Sequence, residues 1–174
     1  MRLLVLAAVI SGLPLAAAAQ NAVPTLQTKE DFHNFAMVSK QRESTAKTQI
    51  SGMSKADVVA ALKTNLSDKT KIIYQDGYGV YIEYSGADGS DRMWFPGNRG
   101  IVKGTWGVED KFTGTKACFH YLKPSGEPDD TQCISPAQTI GNSDVIDEKT
   151  GDVFNLLSNK IPYVKTPLDI PAWP

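Results

Sequence analysis

Short alternating segments separated by turn residues fill the second half of the chain, and they constrain its fold more than any other feature. Val80, Ile82 and Tyr84 share one side of an extended segment, the period of two that is typical of a half-buried strand. Asp76-Gly77 and Asp88-Gly89 are hairpin-turn signals on either side of it. Further strands are predicted at 71–74, 92–95, 101–109, 115–122 and 131–134. The pattern predicts a mainly β (α+β) fold, an antiparallel meander that forms a curled sheet or a small lipocalin-like barrel.

The second Asp-Gly turn also predicts a register. If the turn is centred on this pair, Glu83 lies opposite Trp94 and Arg92 lies opposite Ser85. The remaining pairs are Tyr84 with Met93 and Ile82 with Phe95. This register gives one consistent apolar face.

One or two short helices are predicted before the strands. Thr28 is a helix cap followed by acidic residues, and this helix is expected to end near Lys40. The polar segment 41–51 is predicted to be a loop. Ser54 caps a second helix, in which Val58, Ala61 and Leu62 form a stripe at helical spacing that is expected to pack on the sheet.

Two cysteines, Cys118 and Cys133, are predicted to form a structural disulfide. Their spacing matches no zinc or redox dithiol motif. A hairpin centred on Ser125 and Gly126 places them directly opposite each other, where Cα atoms lie about 4.5 to 5.5 Å apart, within disulfide range.

The N-terminus predicts export. Residues 1–19 combine one positive charge, a short apolar run and small residues, the pattern of a cleavable signal peptide, with cleavage expected before Gln20. The apolar run is shorter than the roughly 20 residues of a spanning helix, so no membrane span is expected. Export predicts a periplasmic or secreted protein. With 18 basic and 19 acidic side chains, the chain lacks the basic excess typical of nucleic-acid binding.

Residues 20–160 are predicted to form a single β-rich domain. Segments 143–146 and 152–157 are expected to make its last hairpin, and Trp106 is expected to be a core residue. The tail, residues 161–174, is rich in proline but also in apolar side chains. It is predicted to pack on the domain, and the alternative is a segment presented to a partner.

Aromatic side chains crowd the predicted strands, and two interpretations are open. Core packing and cross-strand pairing are the common use of such side chains. The alternative is a pocket lined by aromatic rings, in a barrel mouth or on an exposed sheet face. In that case the predicted ligand-binding residues are Tyr81, Glu83, Arg92 and Trp94.

No catalytic or metal-binding motif stands out, and no cofactor is expected. The favoured hypothesis is therefore a non-catalytic domain that binds a small ligand or an envelope protein. The rival hypothesis is a small envelope hydrolase that uses His120 with a carboxylate. A pocket that brings His120 within hydrogen-bond distance of a serine, aspartate or glutamate would favour the rival.

The motifs Tyr81-Ile82-Glu83-Tyr84, Asp88-Gly89 and Gly104-Thr105-Trp106-Gly107-Val108, with the two later cysteines, resemble a family of small exported alphaproteobacterial proteins of unknown function. The resemblance covers about 53–134. It implies a periplasmic location and a β-rich fold, and it implies no activity. The segment beginning Ser85-Gly86 also resembles the loop Ser-Gly-x-x-Tyr of periplasmic lysozyme inhibitors, but Gly89 stands where those proteins have tyrosine.

Overall fold

The computed structural model describes residue 26 and residues 28–96, 98–162 and 170–174. The predicted signal peptide, residues 1–19, lies outside them. Seven strands and three α-helices are present in the described part, with one short 3₁₀ helix near its end. The elements are α1 (Lys29–Ile50), α2 (Lys55–Leu66), β1 (Lys69–Gln75), β2 (Gly79–Ser85), β3 (Ser90–Trp94), β4 (Val102–Lys111), β5 (Gly114–Leu122), β6 (Pro128–Ile134), α3 (Pro136–Ile140), β7 (Val145–Thr150) and the 3₁₀ helix Leu156–Ser158.

All seven strands form one antiparallel sheet in the order β6-β5-β4-β3-β2-β1-β7. The first six strands make a meander, which confirms the predicted mainly β fold with accompanying helices. The sheet is open, with β6 and β7 at its two edges, so the alternative of a closed barrel is not realised.

The predicted last hairpin is wrong, because β7 pairs with β1 and not with segment 152–157. The side chain of Asp152 explains the difference. Its two carboxylate oxygens accept the backbone N–H groups of Leu156 and Leu157, both at 2.8 Å. These bonds favour a helical turn over a strand at this point.

Helix α1 is longer than predicted and continues to Ile50. Thr28 and Asp31 form a capping box at its start, as the sequence signal indicated. Its second half is polar but is held by contacts with the segment that follows α3. Arg42 donates hydrogen bonds to the carbonyls of Asn142 and Val145, and Ala46 is buried. Tertiary contacts therefore decide the length of this helix.

The sheet separates two cores. Helices α2 and α3 cover the front face, where Leu62 and Leu66 pack with side chains from the strands. The back face is covered by Phe32 and Phe35 of α1, by the 3₁₀ helix and by residues near the C-terminus. The strand residues of the front-face core include Met93, Ala117, Phe119 and Tyr121, and those of the back-face core include Ile72, Val80, Ile82, Tyr84 and Trp94.

The β2–β3 hairpin differs from its predicted register by one residue. Gly86 N–H donates to Ser90 O, so that Ala87, Asp88 and Gly89 form the loop, and Gly89 has φ +84°. A loop of this length ends on a residue of positive φ, which glycine adopts without strain. Trp94 therefore lies opposite Ile82, and Glu83 lies opposite Met93.

The predicted disulfide is confirmed. Cys118 and Cys133 are directly opposed on β5 and β6 and are bonded, with their Cα atoms 4.1 Å apart. The loop 124–126 closes through Lys123 N–H to Glu127 O, and a register irregularity between His120 and Leu122 brings the two cysteines into opposition. The disulfide thus ties the edge strand β6 to the sheet.

The described part of the tail lies against the back-face core, where Ile161, Ile170 and Trp173 make contact. The Trp173 ring lies 5.3 Å from that of Phe154, and its Nε1 donates to Asp147 Oδ2 at 2.7 Å. Residues 163–169 of the predicted tail lie outside the described residues.

Candidate binding cavity

An inner cavity of about 130 Å³ lies between the front face of the sheet and helices α2 and α3. Its floor comes from β1, β2 and β5, and its wall comes from Leu66 and from the segment 138–144. The side chains around it are mixed in character. They include Lys71, Tyr81, Glu83, Phe119, Tyr121, Gln132, Thr139, Ser143 and Asp144.

Lys71 and Glu83 are direct cross-strand neighbours on β1 and β2, and both are buried. Lys71 Nζ donates to Asn65 Oδ1 at 2.5 Å and Asn142 Oδ1 at 2.9 Å, and Glu148 Oε2 lies 3.8 Å away. Burial lowers the pKa of Lys71 to about 8, although the nearby carboxylates oppose this change. With its ammonium directed at three oxygen atoms from α2, the α3–β7 loop and β7, Lys71 joins these elements.

Glu83 is the carboxyl group of the inner cavity. Burial raises its pKa to about 7, while the charge of Lys71 and a hydrogen bond from Tyr121 oppose that change. The Tyr121 hydroxyl donates to Glu83 Oε1 at 3.4 Å. Near neutral pH this carboxyl can therefore either donate or accept a hydrogen bond to a bound molecule.

A second buried carboxyl, that of Asp91, lies next to this site on β3. Ser85 Oγ donates to its Oδ1 at 3.3 Å, while its Oδ2 has no hydrogen-bond partner among the described residues. Burial and the charge of Glu83 raise the pKa of Asp91 well above its usual value. The interior of the front face thus holds two carboxyl groups and one amine, those of Glu83, Asp91 and Lys71. Burial favours the protonated, neutral form of both carboxyl groups.

An outer cavity of about 370 Å³ adjoins the inner one, and Gln75, Tyr81, Tyr121 and Gln132 line both. Aromatic rings form much of its wall. The ring of Phe95 lies 5.0 Å from that of Tyr81 and 6.4 Å from that of Tyr78. The other side chains around it are Met93, Val102, Asp129, Asp130 and Thr131.

The structure brings together two of the four predicted ligand-binding residues. Tyr81 and Glu83 line the inner cavity, and Tyr81 also lines the outer one. Arg92 and Trp94 belong to the opposite face of the sheet. Trp94 is fully buried in the back-face core, and its Nε1 donates to Asn98 O at 3.1 Å. Arg92 Nη1 donates to the carbonyls of Asp91 and Gly104.

The one-residue difference in register is the reason for this separation, because such a slip moves side chains to the other face. The sequence also did not single out Lys71, which is the cross-strand partner of Glu83 in the separate β1–β2 pairing. The available signal was a lysine directly before the apolar run Ile72-Ile73-Tyr74. Gln132 gave no signal, since it is a polar residue on an edge strand.

His120 lies outside both cavities, on the sheet face opposite Phe119 and Tyr121. Its Nδ1 lies 3.0 Å from Thr131 Oγ1, and its Nε2 is hydrogen-bonded to Glu109. Lys111 Nζ also contacts Glu109, at 2.6 Å. The side chain of His120 is 41% exposed, so this cluster is a solvated surface feature.

Comparisons with family models, with curated proteins and with solved structures find no match. Within the described residues, no helix is both long and apolar enough to cross a membrane. The same residues contain no group of three or more acidic, histidine or cysteine side chains placed to hold a metal ion. The two cavities are the candidate binding site.

Proposed function

We propose that this chain is an exported, non-catalytic domain, periplasmic or secreted, that binds a small organic molecule in the joined inner and outer cavities. The observation that carries the proposal is the position of Glu83. This buried carboxyl lies at a cavity whose neighbouring walls are aromatic, so a ligand can be oriented by one polar group and held by apolar contact.

The chemistry of the cavities supports binding over catalysis. The hydrogen-bonding capacity of Lys71 is directed at Asn65, Asn142 and Glu148, which leaves its amine in a structural role. No histidine or cysteine of the described residues lines either cavity.

Binding can be tested by recording ¹H–¹⁵N NMR spectra of the mature chain with benzyl alcohol, benzylamine and benzoate. We expect at least one of these probes to shift resonances of residues that line the cavities. Gln132→Trp places an indole at the shared wall from an exposed edge position, and it should abolish those shifts. Thr105→Trp is the matched control, because Thr105 is an exposed strand residue that lines neither cavity. Shifts that persist in Gln132→Trp would contradict the proposal.

One observation favours the hydrolase as a second candidate. Thr131, His120 and Glu109 lie in the order hydroxyl, imidazole, carboxylate, which is the order of a nucleophile, a base and an orienting acid. The test is hydrolysis of p-nitrophenyl acetate by the mature chain and by Thr131→Ala. Because the His120 side chain is 41% exposed and, of the three side chains, only Thr131 lines a cavity, we expect equal rates for both proteins. A rate that falls in the variant would establish the hydrolase.

Export is supported by the disulfide, since such bonds form and persist in oxidising compartments. Mass spectrometry of the protein from a periplasmic or culture fraction should give a chain that begins at Gln20. Recovery of a chain that still begins with Met1 in that fraction would contradict cleavage.

A further inference from the structure

Aromatic and acidic side chains make up six of the eleven residues that line the outer cavity. Four are aromatic, Tyr78, Tyr81, Phe95 and Tyr121, and two are acidic, Asp129 and Asp130. No lysine, arginine or histidine of the described residues lines this cavity. Aromatic walls with acidic side chains nearby and no basic group form an environment that attracts a positive charge.

The aromatic walls come from two separate parts of the sheet. Tyr78, Tyr81 and Phe95 lie along the β1–β2 hairpin and the end of β3, with neighbouring ring centroids 5.0 and 6.4 Å apart. Tyr121 approaches from β5. Burial raises the pKa of Tyr81 well above its usual value, so its ring remains a neutral phenol. The face of a neutral aromatic ring carries the negative part of its quadrupole and attracts cations within about 6 Å of its centroid.

The acidic residues add a long-range attraction. Asp129 and Asp130 lie next to each other on the edge strand β6, and both are exposed. No lysine or arginine of the described residues forms a salt bridge with either of them. Their charge therefore remains available to attract a cation from solution.

We propose that the outer cavity binds an organic cation of the quaternary ammonium type, with its methylated nitrogen against the rings of Tyr78, Tyr81 and Phe95. This inference rests on the proposed function and names the class of ligand. A quaternary ammonium group fits because it is weakly hydrated and donates no hydrogen bond, so aromatic faces can replace its water at low cost. The volume of about 370 Å³ admits a group of this size together with a short substituent.

The test compares three probes of nearly the same shape and of different charge: choline, 3,3-dimethylbutan-1-ol and 3,3-dimethylbutanoate. Dissociation constants are measured by ¹H–¹⁵N NMR titration of the mature chain. We expect choline to bind at least about tenfold more tightly than the neutral alcohol, which corresponds to about 1.4 kcal/mol. The carboxylate should bind more weakly than either.

Two sets of variants separate the rings from the acids. Tyr78 is 65% exposed, so Tyr78→Leu should leave the protein folded while weakening choline binding at least about threefold, and Tyr78→Phe should retain binding. The double variant Asp129→Asn with Asp130→Asn should weaken choline binding most at low salt. Glu127→Gln, an exposed neutralisation in the neighbouring loop, is the matched control and should have no effect.

The outcomes distinguish this inference from the proposed function. If the neutral alcohol binds as tightly as choline, or if the benzyl probes bind and choline does not, the cation inference is overturned while the binding function stands. If neither probe series shifts any cavity resonance, both are overturned. Choline binding that is unchanged in Tyr78→Leu would also overturn the proposed position of the ammonium group.

Discussion

Replacing Glu83 by glutamine should change how the stability of this protein depends on pH. Glu83 is buried on the front face, and its pKa is raised from 4.5 to about 7, chiefly by burial. Between these two values the folded protein keeps a proton on Glu83 that the unfolded chain has released. The stability contributed by this group is therefore complete below about pH 4.5 and is lost as the pH rises through about 7.

The magnitude follows from the displacement of the pKa. A difference of one in pKa between the folded and unfolded states corresponds to about 1.36 kcal/mol. Protonated Glu83 therefore contributes about 3 kcal/mol to the free energy of unfolding at low pH. About 2 kcal/mol of this should be lost between roughly pH 5 and pH 7.5. Glutamine does not titrate, so Glu83→Gln should lack this loss. The variant also removes a negative charge beside Lys71, so the pKa of Lys71 should fall further. A lower pKa for this buried lysine also makes the variant gain stability, relative to the wild type, as the pH rises.

The assay is urea unfolding followed by tryptophan fluorescence, with the free energy of unfolding measured across this pH range. As the pH rises, we expect the free energy of unfolding of Glu83→Gln to increase relative to that of the wild type by at least about 2 kcal/mol. Glu127→Gln, in the exposed β5–β6 loop, is the control and should parallel the wild type. Parallel curves for Glu83→Gln and the wild type would refute the assignment of a raised pKa to Glu83.

Three further changes test the packing. Replacing both Cys118 and Cys133 by alanine should lower the stability by roughly 3 kcal/mol and the melting temperature with it, and thiol labelling of the native protein should find no reactive cysteine. Trp94→Ala should cost about 3 to 5 kcal/mol because its ring is fully buried, and Trp106→Ala should cost less because its ring is half-buried; equal losses in urea unfolding would contradict this ranking. Truncation after Lys160 should lower the melting temperature and expose surface that binds a hydrophobic dye, whereas an unchanged melting temperature would favour a tail that is presented to a partner.

Local patterns in the sequence were sufficient to predict the first six strands, their antiparallel order through the meander, and the starts of α1 and α2. Each depends on interactions between residues close in the chain, such as the caps at Thr28 and Ser54. The disulfide was predicted from the hairpin signal at Ser125 and Gly126, and a register irregularity between His120 and Leu122 contributes to the observed pairing of the two cysteines.

Tertiary contacts decided the features that the sequence did not predict. The second half of α1 is helical because Arg42 and Ala46 find partners near α3, far along the chain. Likewise β7 joins the sheet beside β1, although the paired residues are 72 to 81 positions apart in the sequence. No local pattern encodes either contact.

The candidate site is the clearest example of a feature that the sequence predicts only in part. Alternation identified Tyr81 and Glu83 as neighbours on one face, which the structure supports. Which face of β3 joins them depended on one additional residue in the Gly86–Gly89 turn, and that residue sends Arg92 and Trp94 to the other side. Because side chains on a strand alternate with a period of two, the sequence determines which residues share a face within each strand, and only the assembled sheet determines which faces meet.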